Sequence, residues 1–189
     1  MNLDEKSSLA GIKLRHFKKV VRFYDTIEPI NSELVYNLCC GNALASWYIL
    51  NANEKIKFIS VDKIKTEKYR RLESLMEDSL KERHLFLEQD IGMHLEGFVI
   101  SIHPCGNLAD RIILACIEQG VSFAIVPCCY KPGRQLLKPK NYIRPLGLDR
   151  IEIVDDMRIK YLRENKRDVV VKRIENFPSP MNKLIMSHI

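Results

Sequence analysis

Two pairs of adjacent cysteines, Cys39-Cys40 and Cys128-Cys129, a His-Pro-Cys-Gly run at 103–106 and two acids, Asp62 and Asp90, are the residues whose types and spacing could do chemistry. Each follows closely on a short apolar run, at 34–38, 57–61, 84–87, 98–102 or 122–126. A glycine-bearing turn such as Cys39-Cys40-Gly41 lets the backbone approach a ligand and aims helix-start N–H groups at it. The dinucleotide fingerprint G-x-G-x-x-G is absent, since only Gly41 is glycine there. Asp62 lies 21 residues after Gly41 and ends the next run, where a carboxylate can accept both hydroxyls of a ribose. Asp90 is placed to accept from an adenine amino group, or simply to cap a turn. His103 can carry a proton in catalysis or cap the following helix. Cys39, Cys40, Cys105, Cys128 and Cys129 with His103 could meet as a zinc, iron–sulfur or redox site, yet cysteine is also a small apolar filler of tight gaps. Adjacent pairs lack the C-x2-C spacing of a zinc knuckle, so no metal is assigned, and Cys116 in "IILACIE" reads as packing.

The elements that must position these residues follow from periodicity. Helical spacing at 43–52, 66–82 and 107–119 separates the five apolar runs, which predicts right-handed crossovers and an α/β fold with a mainly parallel sheet. The expected strand order is 3-2-1-4-5, with ligands beyond the carboxyl ends of the strands. A charged segment at 149–167 can hold a helix, and "DVVVKRIENF" and "NKLIMSHI" around "PSPM" read as a C-terminal antiparallel hairpin. Within residues 1–30, apolar positions at helical spacing and the basic positions Arg15, Lys18, Lys19 and Arg22 on another face predict a basic amphipathic helix.

The 189 residues, 46% hydrophobic, are enough for one sizeable core, so 1–189 is read as a single domain. Lysine and arginine outnumber the acids 30 to 24, and a pI near 9.0 leans towards a polyanionic partner. From Lys131 to Leu148 there are five basic residues and no acid, a pattern that phosphate contacts require, to which Tyr142 can add stacking. The opening residues lack the order of a signal peptide and no apolar stretch approaches a membrane span, so a soluble cytoplasmic protein with reduced thiols is expected.

Taken together, the stretches "NLCCGNAL", "SVDK", "HPCGNLAD", "VPCCYK" and "SPMNKLIM" resemble a class I S-adenosylmethionine-dependent methyltransferase over about 35–186. The narrower likeness is to a branch with H-x-C-G after strand four and P-C-C-Y after strand five, similar to tRNA 2′-O-methyltransferases with a "GCCH"-type ending. The resemblance implies a Rossmann-like fold and S-adenosyl-L-methionine as cofactor, held by Asn37, Cys39, Gly41, Asp62, Asp90, His103 and Cys105. Asn37 stands where an acid usually begins the first motif, and Cys39 and Ala43 stand where glycines are usual. A methyl on sulfonium is already electrophilic, so the enzyme must mainly align a nucleophile and route its proton. His103 is the expected proton carrier and Tyr130 the expected stacking residue, with Tyr130, Lys131, Arg134 and Lys138 on the acceptor. RNA, as tRNA or rRNA, is the favoured acceptor. The alternatives are a protein or small-molecule acceptor, or a non-catalytic or metal-binding module on the same fold.

Overall fold

The computed structural model describes residues 1–128, 136–140, 142–147 and 149–189. Strands form where the apolar runs sit, because β-branched and aromatic residues pack well on a sheet buried on both faces. They are β1 (Leu34–Leu38), β2 (Lys57–Asp62), β3 (His84–Glu88), β4 (Phe98–Ile102), β5 (Ser122–Val126), β6 (Asp168–Arg173) and β7 (Lys183–His188). The sheet order is β3-β2-β1-β4-β5-β7-β6. β1 to β5 pair in parallel, and β7 runs antiparallel to both β5 and β6. The expected order and the C-terminal hairpin are both present. Connections run outward through β2 and β3, then restart at β4 on the other side of β1, so the switch point lies beyond the ends of β1 and β4. Register places Leu38 beside Val61 and Ile102 beside Val126, which brings the loops after these four strands together.

Helices cover both faces. α1 (Leu3–Leu9), α2 (Leu14–Thr26), α3 (Leu44–Ala52), α4 (Glu67–Ser74) and α5 (Asp78–Lys81) bury Phe23, Trp47, Tyr69 and Leu72 with Phe58 of β2. α6 (Leu108–Glu118) and α7 (Arg150–Glu164) bury Ile112, Ile113 and Leu162 against Val99 and Phe123. Burying one such large side chain stabilises the fold by about 1.5–3 kcal/mol.

Two expected helices are each divided. The segment read as one helix within 1–30 is α1 and α2, broken where Gly11 takes φ +75° and Ala10 and Ile12 turn into the core. The run at 66–82 is α4 and α5, parted at 75–77 where Met76 is buried.

A buried charge cluster ties α6, α7 and β7 to the segment after β5. Arg158 lies 2.7 Å from Asp110 and 3.1 Å from Asp155, and Lys183 lies 3.3 Å from Asp155. The other oxygen of Asp110 accepts from the Leu136 N–H at 2.9 Å. Charges this deep persist only when paired and hydrogen-bonded.

Candidate active site

The turn after β1 answers why Cys-Cys-Gly follows an apolar strand. Cys39, Gly41 and Ala43 take φ of +56°, +58° and +53°, so every second residue is left-handed. The two non-glycine members hold a shape that glycine adopts freely, at a cost of roughly 1–2 kcal/mol each. The shape turns the Gly41 N–H onto Asp62, whose Oδ2 accepts it at 2.7 Å. Oδ1 of Asp62 accepts from the Lys63 N–H at 2.8 Å. A carboxylate offers about four acceptor positions, so Asp62 keeps capacity for further donors at the mouth of β2. This is the juxtaposition that the 21-residue spacing implied.

Two hollows open beside this turn and adjoin at Cys39 and His103, which line both. One, of about 210 Å³, is walled by Asp62, Asp90 and Cys105. The other, of about 300 Å³, is walled by Asn37, Gly41, His16 and Lys19. The structure therefore gathers Asn37, Cys39, Gly41, Asp62, Asp90, His103 and Cys105 around one cleft. Asp90 is the most committed of the acids. Its carboxyl accepts from the Ile91 N–H and pairs with Arg111 at 3.1 Å and Lys63 at 3.4 Å. The Ile91 N–H, aided by Arg111 and Lys63, holds it below the usual carboxylate range.

His103 is held at φ +62°, and both its ring nitrogens are engaged. Nε2 lies 3.0 Å from the Met181 carbonyl oxygen, which can only accept, so Nε2 carries the proton. Nδ1 lies 3.0 Å from Lys19 Nζ and accepts from it. Burial, then Lys19 and His16, push the imidazole below its ordinary pKa, against the Met181 contact. Free proton exchange at His103 therefore requires Lys19 to move away. Lys19 escaped the sequence reading as a site residue. The only signal was its place on the basic face of α2, where Arg22 instead pairs with Asp25 at 3.8 Å.

The thiols of the turn after β1 are held uncharged. Burial, then Asp62, pushes Cys39 up to about 12, and Cys40 is raised further by the same two causes. Cys105 and Cys128 approach to 3.8 Å between sulfurs, and among the described residues no three potential ligands converge on a metal site. Tyr130, Lys131 and Arg134, with Cys129, lie outside the described residues. Lys138 is exposed, and Tyr142 packs on α7 with Lys160 over its ring at 5.5 Å.

A family profile described as a methyltransferase domain matches residues 14–134, well over half the chain. The chain belongs to this methyltransferase-domain family. No curated protein matches it. Among solved structures, the glycopeptide N-methyltransferase MtfA complexed with S-adenosyl-L-methionine is 12% identical with a TM-score of 0.60, covering 91% of this chain and 93% of that one. The methyltransferase domain of bacterial-CtHen1-CN has a TM-score of 0.62 at 12% identity, covering 93% of this chain and all of that one. An O-methyltransferase family protein from Burkholderia thailandensis has a TM-score of 0.58 at 12% identity, covering 93% of this chain and 57% of that one. At such identities the likeness is one of fold. Among the described residues no helix is long and apolar enough to cross a membrane.

Proposed function

We propose that residues 1–189 form one methyltransferase domain that takes a methyl group from S-adenosyl-L-methionine and gives it to RNA, tRNA or rRNA, in the cytoplasm. The cleft suits the donor. In this reading Asp62 has acceptor capacity for a ribose, Asp90 takes the adenine edge, and Asn37, Cys39, Gly41 and Cys105, which line the two hollows, take the amino-acid end and the sulfur. When bound, the donor supplies an electrophilic methyl, and the chain's own task is alignment and proton routing.

The observation that carries the acceptor reading is the charge at the mouth of the larger hollow. Lys19, Arg15, Lys68 and Lys13 all bear on His16 there and add to the effect of burial in holding its imidazole below its usual pKa. Such a mouth favours a phosphate backbone. The H-x-C-G run at 103–106 and the P-C-C-Y run at 127–130 support the narrower likeness to tRNA-modifying enzymes. In this reading Lys19 turns to an acceptor phosphate, which frees Nδ1 of His103 to take the proton of the attacking group. Tyr130 stacks on the base, and Lys131, Arg134 and Lys138 track the strand. Free thiols at Cys39, Cys40 and Cys116 fit a reducing compartment.

The test is transfer of labelled methyl from S-adenosyl-L-methionine to fractionated RNA, protein and metabolites. Label in RNA, lost with Asp62→Ala together with about tenfold or more of donor affinity, is the expected result. Label confined to protein or metabolites would replace the acceptor while keeping the enzyme. Absence of donor binding by the unmodified protein would end the reading altogether.

A further inference from the structure

A line of buried polar side chains runs along one face of the sheet, over β3, β2 and β1, from the surface of α4 to the cleft. Tyr69 Oη lies 2.6 Å from a carboxylate oxygen of Glu73 and 3.3 Å from Nδ1 of His84. Nε2 of His84 lies 2.8 Å from Ser60 Oγ, which lies 2.7 Å from Ser46 Oγ. Ser46 Oγ in turn accepts from Nδ2 of Asn37 at 2.9 Å. Asn37, Ser46, Ser60 and Tyr69 are each at most 2% exposed.

Counting protons gives this line one direction. The Glu73 carboxylate can only accept, so it takes the single phenolic proton, and Lys65 at 3.2 Å supports its charge. Tyr69 must then accept from His84, which puts the imidazole proton on Nδ1. Burial keeps that ring neutral, pushing its pKa down to about 4, so Nε2 is bare and accepts from Ser60. Each serine has one proton to give. Ser60 has spent its own on His84, so it accepts from Ser46, and Ser46 accepts from Asn37. Only the NH2 of an amide can meet that demand. An anion beside β3 thus decides which way an amide points at the end of β1, along one face of the sheet.

Asn37 lines the larger hollow, and among the described residues its Oδ1 makes no hydrogen bond. We propose that the line from Glu73 through Tyr69, His84, Ser60 and Ser46 is a positioning device that fixes Asn37 with Oδ1 towards the cleft as acceptor for the α-ammonium of the methyl donor. The five dipoles point the same way, which strengthens each bond and leaves Oδ1 a better acceptor than an isolated amide. Tyr69, His84 and Glu73 then act on the cofactor without touching it. The proposal rests on the reading that the cleft holds S-adenosyl-L-methionine.

Two ligands separate the positioning role from a structural one. S-Adenosyl-L-homocysteine carries the ammonium, whereas 5′-methylthioadenosine keeps the nucleoside and sulfur without it. In Tyr69→Phe, Glu73→Gln and Ser60→Ala, calorimetry should show about a tenfold loss for the first ligand and no change for the second. Equal losses for both ligands, or none for either, would overturn the device while leaving the methyl-donor reading intact. A wild-type protein that binds neither ligand would take down both. If the variants do not fold, the imidazole ¹⁵N shifts of wild-type His84 decide: a proton on Nδ1 supports the device, and a proton on Nε2 overturns it.

Discussion

At the scale of single residues, the turn after β1 shows how much backbone shape can outlast the residue types that make it easy. Cys39 and Ala43 hold left-handed φ without glycine's freedom, and the strain should be recoverable. Replacing either by glycine removes roughly 1–2 kcal/mol of steric cost and adds about 0.4–1 kcal/mol of unfolded-state freedom. Cys39→Gly and Ala43→Gly should each therefore be neutral to about 1 kcal/mol stabilising, read as a higher urea midpoint at unchanged slope. His84 gives a second expectation. Its folded pKa, lowered by burial to about 4, lies below the ordinary value near 6.5, so the unfolded chain binds the proton first. The sign is then fixed: the contribution is whole above about pH 6.5 and is lost as pH falls towards 4. On the order of 3 kcal/mol is at stake. Urea unfolding at stepped pH should show a fall in this window that is much reduced in a His84→Gln variant, beyond what the carboxylates contribute in both.

At the scale of elements, the buried charge cluster does for the segment after β5 what a disulfide does in secreted proteins. Asp110 on α6 reaches the Leu136 N–H while Arg158 on α7 holds Asp110. Removing Arg158 takes the guanidinium from between Asp110 and Asp155 in the core, a loss of the order of 3–5 kcal/mol. Arg158→Met should lower stability by that order. Proteolysis should then cut near residue 136 faster than global unfolding explains. Asp110→Asn, which can still accept from Leu136, should be milder. Equal cleavage rates in the two variants would show that the cluster does not anchor the segment. The division of the N-terminal helix belongs here as well. His16 and Lys19 line the larger hollow from α2, which the break at 10–13 sets in its own direction, apart from α1.

At the scale of the whole molecule, the concentration of cations at one end of the sheet predicts that RNA affinity falls steeply with salt. A filter-binding slope of several phosphates between about 50 and 200 mM salt is expected, reduced by about one in Lys68→Gln if that side chain contacts the backbone. A flat salt profile would remove nucleic acid as the acceptor. Much of this architecture was legible in the sequence. Five parallel strands, all but the edge strand β3 largely buried, leave apolar runs, and the spacing from Gly41 to Asp62 sets two neighbouring strand ends. The relay was not legible, since Ser60 and His84 sit inside runs that read as plain strand, and only the third dimension aligns them with Ser46 and Tyr69. Lys19 was equally hidden, because 84 residues separate it from His103, and no local pattern announces a contact made by the return of the chain.

One imidazole is gripped from both tails. Lys19 comes from α2 and the Met181 carbonyl from the connection between β6 and β7, with Phe177 edge-on to the ring at 5.6 Å. Chimeras assembled from related sequences should consequently inherit their leading helix and trailing hairpin as a matched set. A hybrid that mixes parentage would keep its central strands and still leave His103 wrongly aimed.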